Sequence, residues 1–461
     1  MFKKIIDKTR AERVFDDALQ ILNEIGVECA DGGVVEKIAK KAPLTYKNNR
    51  IYFEKKDLAR HFESRKPDLT VREIPEKFSI GGQWHAWYLV DPVTNRPRLA
   101  SHDEAVKCAK FAESFGKKGG PIPVAPGGIN PRAHTIECEK IALIHTKKLG
   151  TGLTVSGDAE IDALAAMFEA AGRRYTLAVE PMISPLKFNA ENLSLYLRQA
   201  DNKKIDIVEY GAMPSAGATA PLAMPAGLSL AFAETLALDY IFYNYSDGRH
   251  HGGFGVRLDH IDFKSLNMVF GSPERAILRR AIIELWRELT GGETIVAPLH
   301  SNSKCVDAQA VMEKTTAMMY FINCGARVFG AVGQLSVDEV YSPVMAVIDR
   351  EIVKTGGRLM RSLDGLWDDS ADTVKIVLGG LNDRNYIGAD STVDIYKKFF
   401  GLDVLSSYEN CAAWAAGGFK GIEERARAEY ETIAAAHDFR LQDDGEREVN
   451  KIAEGFMKGI N

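Results

Sequence analysis

The chain has 461 residues, 46% hydrophobic and 26% charged, which is a globular composition long enough for one large domain with additions or for two to three ordinary ones. A formal net charge of −5 with no long basic run argues against nucleic acid as a partner. No apolar run approaches the ~18 residues of a membrane span, the start lacks the apolar stretch of a signal peptide, and the cysteines at 29, 108, 138, 305, 324 and 411 show no paired spacing, so a cytoplasmic protein with reduced thiols and no membrane contact is expected.

Residues 10–65 open as a helical lead-in: Val14, Ala18, Leu19, Leu22 and Ile25 fall at helical spacing and Gly26 ends the run. A short strand follows at 50–53, and the alternation of 68–100 with Gly81-Gly82 suggests hairpins. Ser101 with Glu104 forms a capping box that opens a helix to about Phe115. Strand-like runs then alternate with helical ones, at 121–125, 152–156, 176–183, 205–210, 250–256, 294–300, 326–332 and, most weakly, 386–388. Ser272 and Pro273 begin one intervening helix, and a capping box at Ser336 and Glu339 predicts another. Eight such alternations suit a (β/α)8 TIM barrel with an N-terminal helical and hairpin layer and C-terminal helices. A doubly wound sheet gives a similar pattern, but no dinucleotide glycine fingerprint follows the first strand. The predicted boundaries are 1–118 for the extension, 119–420 for the barrel and 421–461 for a helical tail.

The stretch from Tyr210 to Pro221 is a small-residue turn between the apolar run 205–208 and a helical pattern over 222–238. Gly217 and Thr219 lie in it, and Pro221 suits the first helical turn. Unpaired N–H groups before that turn would suit an anion, although small residues also simply permit close packing. Barrel enzymes carry their chemistry at strand C-terminal ends. Those ends offer Glu180, Glu209, Tyr210, His250, His251, Phe254, His300, Lys304 and Gln334. Lys304 could act as a nucleophile if burial depressed its pKa, or be an ordinary solvated lysine. Trp84, His85, Trp87 and Tyr88 form an aromatic cluster that either packs the N-terminal layer or faces a ligand. His250, His251, His300 and Cys305 could converge on zinc, but no Cys-x-x-Cys or His-x-x-x-His pair is present, so no tightly bound metal is expected.

Five collinear stretches, 18–29, 90–115, 213–238, 261–278 and 301–352, resemble the trimethylamine methyltransferase family, corrinoid-dependent enzymes that demethylate methylamines and quaternary amines. The resemblance covers nearly the whole chain. It implies a (β/α)8 barrel, no tightly bound cofactor, and transfer of a methyl group to the Co(I) centre of a separate corrinoid-binding protein. A homo-oligomer is expected. The run from Ser303 to Glu313 resembles the stretch where the trimethylamine enzymes carry pyrrolysine, which would fall at Lys304 or a neighbour; only ordinary residues stand here. Relatives without pyrrolysine act on betaines, so the resemblance implies a quaternary amine. The family's histidine-bearing stretch near the eighth strand reads Gly388-Ala-Asp-Ser-Thr392, without histidine, which implies altered specificity.

On this reading Lys304, His300 and Glu209 are the catalytic candidates. Trp84, Trp87, Tyr210, Gly217, Thr219, His250, Phe254 and Gln334 are the substrate-binding candidates, with a substrate carboxylate near 217–219 or on Arg257. Two other functions fit less of the pattern: a barrel that binds a betaine without turnover, and a zinc-dependent corrinoid methyltransferase acting on a thiol or alcohol.

Overall fold

The computed structural model describes residues 3–69, 78–81, 85–115, 120–150, 152–249, 255–292, 296–361, 366, 371–389, 392–393, 395–396, 400 and 405–460. The core is organised by the helix Met224–Tyr245, which is apolar on every side except for Glu234, Asp239 and a few hydroxyl and amide side chains. From Gly227 to Phe242 each of its residues is buried, as an all-round apolar helix must be. The lead-in helix Lys8–Gln20 and the helix Lys55–Leu69 pack on it, with Phe15 and Phe62 edge-on to Phe232 at 5.7 and 5.5 Å between ring centroids. The lead-in ends as expected at Gly26, φ +67, whose added Cβ would lie 2.3 Å from the Ile51 carbonyl oxygen.

The molecule is a mixed α/β protein in which parallel strand pairs alternate with helices. Val328–Gly330 pairs in parallel with Val296–Pro298 on one side and with Ser79–Ile80 on the other. Ala86 bridges Val124, Thr154 bridges Ala178, and Tyr175–Ala178 pairs with Ile205–Glu209, all in parallel. Among the described residues these pairings form separate runs rather than a closed ring. The first hundred residues are woven into the rest. Val27–Glu28 borders Lys187–Phe188, and Tyr88–Val90 borders Val340–Tyr341. At the other end, the helix Asp443–Ile460 packs on Asp158–Ala170 and buries Val449 and Ala453.

Three local expectations are corrected. Residues 386–388 form an exposed turn after the helix Thr373–Asp383, with Ile387 82% exposed. Tyr386-Ile387-Gly388 is too short an apolar run, ended by a glycine, to make a buried strand, and the parallel partner of the 328–330 strand is instead Ser79–Ile80. Ser336 does not open a helix: Ser336 and Val337 take positive φ, +48° and +69°, in a turn joining Gln334–Leu335 to Val340–Tyr341. The helix there begins at Pro343, capped by Ser342. Pro221 precedes its helix, which starts at Met224 with Pro225 in the first turn.

Candidate functional site

Two adjoining cavities lie at the ends of the parallel strands and share Gly152, Thr154 and Glu180. The first, about 370 Å³, is lined by Tyr210, Glu180, Thr219 and Arg257 among others. The second, about 770 Å³, is lined by Trp87, His85, His134, Glu160 and Glu180 among others. Nothing lies within 4 Å of the position a Cβ would take at Gly211 in the first or Gly128 in the second, so both cavities have room beside the backbone.

Tyr210 is held from behind. Its hydroxyl donates to Asp239 Oδ1 at 2.7 Å, and its ring packs on Phe242 at 4.5 Å. Asp239 is fully buried on the central helix and also takes His61 Nε2 at 2.7 Å and Arg65 Nε and Nη2 at 3.1 and 3.2 Å. Burial works to raise the Asp239 carboxyl, but the His61 and Arg65 hydrogen bonds outweigh it and hold it below the usual carboxylate range. The N-terminal layer thus reaches the cavity wall through one carboxylate.

The backbone around Gly217 contradicts the expected anion site. Gly217 N–H donates to the Ala220 carbonyl at 2.8 Å, while Ala218 and Thr219 N–H donate to the Ser215 carbonyl at 3.0 and 2.9 Å. Those amides close the turn between Ser215–Ala216 and the central helix and are not available to a carboxylate. Thr219 lines the cavity with its side chain, whose Oγ1 accepts from Ser215 N–H at 2.8 Å.

His300 and Lys304 line neither cavity. His300 is buried, its ring 4.5 Å from that of Phe270, with Nδ1 3.5 Å from Arg275 Nη1 and Nε2 3.0 Å from Asp338 Oδ1. Burial lowers its pKa, with Asp338 opposing. Lys304 is exposed and donates to the Asn302 carbonyl at 2.7 Å. The loop it sits on is tied to Glu313, which accepts from Ser301 Oγ at 2.7 Å and Asn302 N–H at 2.9 Å. Gln334 is fully buried in its hairpin. Glu209 ends the strand beside Ala178, but its side chain lies outside the description, and Trp84, His250 and Phe254 lie outside the described residues.

Behind His300, Asp259 receives Arg275 Nε at 2.8 Å and Arg279 Nη2 at 2.9 Å. Burial works to raise the Asp259 carboxyl, and the two guanidinium groups outweigh it, holding it down to about 2. An acid whose folded pKa is depressed stabilises fully above its unfolded pKa of about 3.9 and loses that contribution as pH falls through the folded value. Unfolding measured between pH 4 and 2 should show about 2 kcal/mol of acid-labile stability that Asp259→Asn removes. Parallel wild-type and variant acid limbs would contradict this.

Sequence reasoning missed a third grouping. His134 and Cys138 stand one helical turn apart on the helix His134–His145, and His85 meets them from the strand-like segment beside Val124. His85 Nε2 lies 2.9 Å from His134 Nε2, and Cys138 Sγ lies 3.8 and 3.9 Å from those nitrogens. Burial brings the His85 pKa down to about 4 and lowers that of His134, and it raises the Cys138 thiol well above its ordinary value. The sequence does carry the spacing His134-x-x-x-Cys138, a mixed pair that matches neither Cys-x-x-Cys nor His-x-x-x-His.

Residues 2–452 match the family model for trimethylamine methyltransferase. The chain belongs to the trimethylamine methyltransferase family. It is therefore a methyltransferase, and the match spans the N-terminal layer, both cavities and the start of the final helix. Among solved structures it is similar to the monomethylamine methyltransferase of Methanosarcina barkeri at 10% identity and a TM-score of 0.46, covering 98% of this chain and 87% of that one. The hydroxylamine complex of that enzyme gives 10% identity and 0.45 over the same shares. No curated protein sequence matches the chain. No helix among the described residues is long and apolar enough to cross a membrane.

Proposed function

We propose that this methyltransferase removes a methyl group from a carboxylate-bearing quaternary amine, a betaine, and delivers it to the corrinoid of a partner protein. The observation that carries the reading is the smaller cavity, about 370 Å³, whose lining includes an aromatic ring (Tyr210), a carboxylate (Glu180) and a guanidinium (Arg257). Those three groups are the complement of a zwitterion with a trimethylammonium at one end and a carboxylate at the other. Arg257 takes over the carboxylate from the closed turn at 217–219. The parallel runs are read as arcs of one (β/α)8 barrel, with Ser79–Ile80 as the strand that closes on Val328–Gly330.

The corrinoid, when its protein docks, supplies a Co(I) nucleophile as methyl acceptor. The open space beside Gly128 and Gly211 leaves room for a group approaching from outside. The chain's own residues bind and aim. Tyr210 and Glu180 hold the cation, Thr219 and Arg257 set its orientation, and Trp87, 54% exposed, covers the adjoining mouth. As the C–N bond breaks, its electron pair stays on nitrogen and a neutral tertiary amine leaves, so no proton donor or covalent activation is needed. Excluding water and fixing one methyl outward are the tasks left to the protein. On this reading Lys304 and His300 do not touch substrate.

Thermal shift against glycine betaine, carnitine, choline and trimethylamine tests the class. A true ligand at 100 times its Kd adds ~2.7 kcal/mol of stability. Betaines should stabilise the protein more than choline, which lacks the carboxylate, and Tyr210→Ala should weaken binding about two- to thirty-fold. A shift with trimethylamine and none with any betaine would overturn the reading.

A further inference from the structure

We propose that His85, His134 and Cys138 form a zinc site with three protein ligands, opening on the larger cavity. Three observations meet there. The ligand atoms already converge, with all three within 4.8 Å of one another. A tetrahedral zinc, with bonds of ~2.0–2.1 Å to nitrogen and ~2.3 Å to sulfur, would set the nitrogens about 3.3 Å apart and each about 3.6 Å from sulfur. The present spacings are 2.9 Å for the nitrogens and 3.8 and 3.9 Å to sulfur, so shifts of a few tenths of an ångström complete the geometry.

The surroundings are those of a ligand set. His85 Nδ1 lies 2.8 Å from the Ile122 carbonyl, so Nδ1 carries the ring proton and Nε2 presents its lone pair to the cluster. A backbone carbonyl on the far nitrogen is the usual support of a metal-bound imidazole. Trp87 packs on His134 at 4.6 Å between ring centroids and fixes the second ring. Without metal, His134 Nε2–H donates to His85 Nε2. With metal, the His134 proton moves to Nδ1, Cys138 loses its thiol proton to solvent, and both Nε2 atoms bind.

The donor set selects the ion. Two imidazoles and a thiolate suit zinc, and three protein ligands with a fourth position open is the arrangement of reactive rather than structural zinc. His85 and His134 line the cavity of about 770 Å³, so the fourth position is filled from it by water or by an anionic oxygen or sulfur ligand. This does not rest on the betaine reading, because the metal can be measured with neither substrate nor corrinoid protein present.

The test is metal content by mass spectrometry of the full chain after exposure to excess zinc and gel filtration. One equivalent of zinc per chain is expected, lost in the His134→Ala/Cys138→Ser double variant. Wild type that emerges without zinc, or a folded double variant that retains it, overturns the site and leaves a histidine–histidine hydrogen bond beside a buried thiol. Cobalt(II) in place of zinc keeps the test independent of how the variant folds. Wild-type protein should show thiolate-to-cobalt charge-transfer absorption, and its absence would remove Cys138 from the ligand set.

Discussion

Lys314→Met is expected to lower the free energy of unfolding by about 3–5 kcal/mol, because it leaves a buried carboxylate without its cation. Lys314 on the helix Ala308–Asn323 and Asp349 on the helix Pro343–Leu359 are both fully buried, with Nζ 2.7 Å from Oδ2. The same oxygen accepts from Gly333 N–H at 2.7 Å. Burial pushes the lysine pKa down and the aspartate pKa up, each opposed by the other's charge. Gly333 is required in this arrangement: its φ is +77°, and an added Cβ would lie 2.8 Å from the Ser342 carbonyl oxygen. The loss should depend on pH in a definite direction. With lysine gone, Asp349 is protonated in the folded state up to a raised pKa, so the deficit is smallest below about pH 4, where the unfolded carboxyl is protonated too, and grows as pH rises. Urea titration of Lys314→Met and of Lys314→Met/Asp349→Leu decides the matter. The double variant should recover most of the loss, and a single variant within 1 kcal/mol of wild type, roughly a surface-level effect, would refute the argument.

Asp239→Ala should cost a similar ~3–5 kcal/mol and, unlike the first substitution, should also weaken ligand binding. It removes the carboxylate that gathers His61, Arg65 and Tyr210, leaving Arg65, 1% exposed, with Asp68 at 2.8 Å and the Tyr243 ring centroid 4.9 Å from its guanidinium carbon. Because the Asp239 carboxyl is held low, its stabilisation is complete above the unfolded carboxyl range and is lost as pH falls through the folded value. Tyr210→Phe separates the two effects, since it keeps the ring against Phe242 and drops only the hydroxyl. Betaine affinity, read by calorimetry on folded protein, should fall in the order wild type, Tyr210→Phe, Tyr210→Ala. Equal affinity across all three would place the ligand elsewhere.

The sequence showed most clearly what depends on neighbours along the chain. The capping box of Ser101 and Glu104 forms as read, and Ser272 Oγ accepts from Arg275 N–H at 3.1 Å to cap the helix Pro273–Thr290. The apolar runs at 205–210 and 294–300 contain parallel strands at Ile205–Glu209 and Val296–Pro298. What failed is the choice among competing backbone hydrogen-bond partners, which residue types alone do not settle. Ser336 to Glu339 has the letters of a capping box, but Leu335 and Val340 pair across it and turn it into a hairpin. Gly217 and its neighbours looked free to bind an anion because their residue types do not reveal that the Ser215 and Ala220 carbonyls close the turn on their N–H groups. Tyr210, Thr219, Glu180 and Arg257 were all named from the sequence and line one cavity, but that they meet there could not be read from segments so far apart in the chain.

The pairing of Val328 with Ser79 joins positions 249 apart (328 − 79) and has a consequence for synthesis. Sheet contacts so distant in sequence form late, since a long loop must close before they repay its entropy. While the ribosome works through that interval, the 79–80 edge has no permanent neighbour, and bare strand edges invite pairing with other nascent chains. The central helix, complete at Tyr245, can gather the lead-in helices long before then. The chain would emerge as a helical nucleus holding an open strand edge, and a polypeptide stopped before residue 328 should collect chaperones or aggregate rather than persist as a smaller soluble domain.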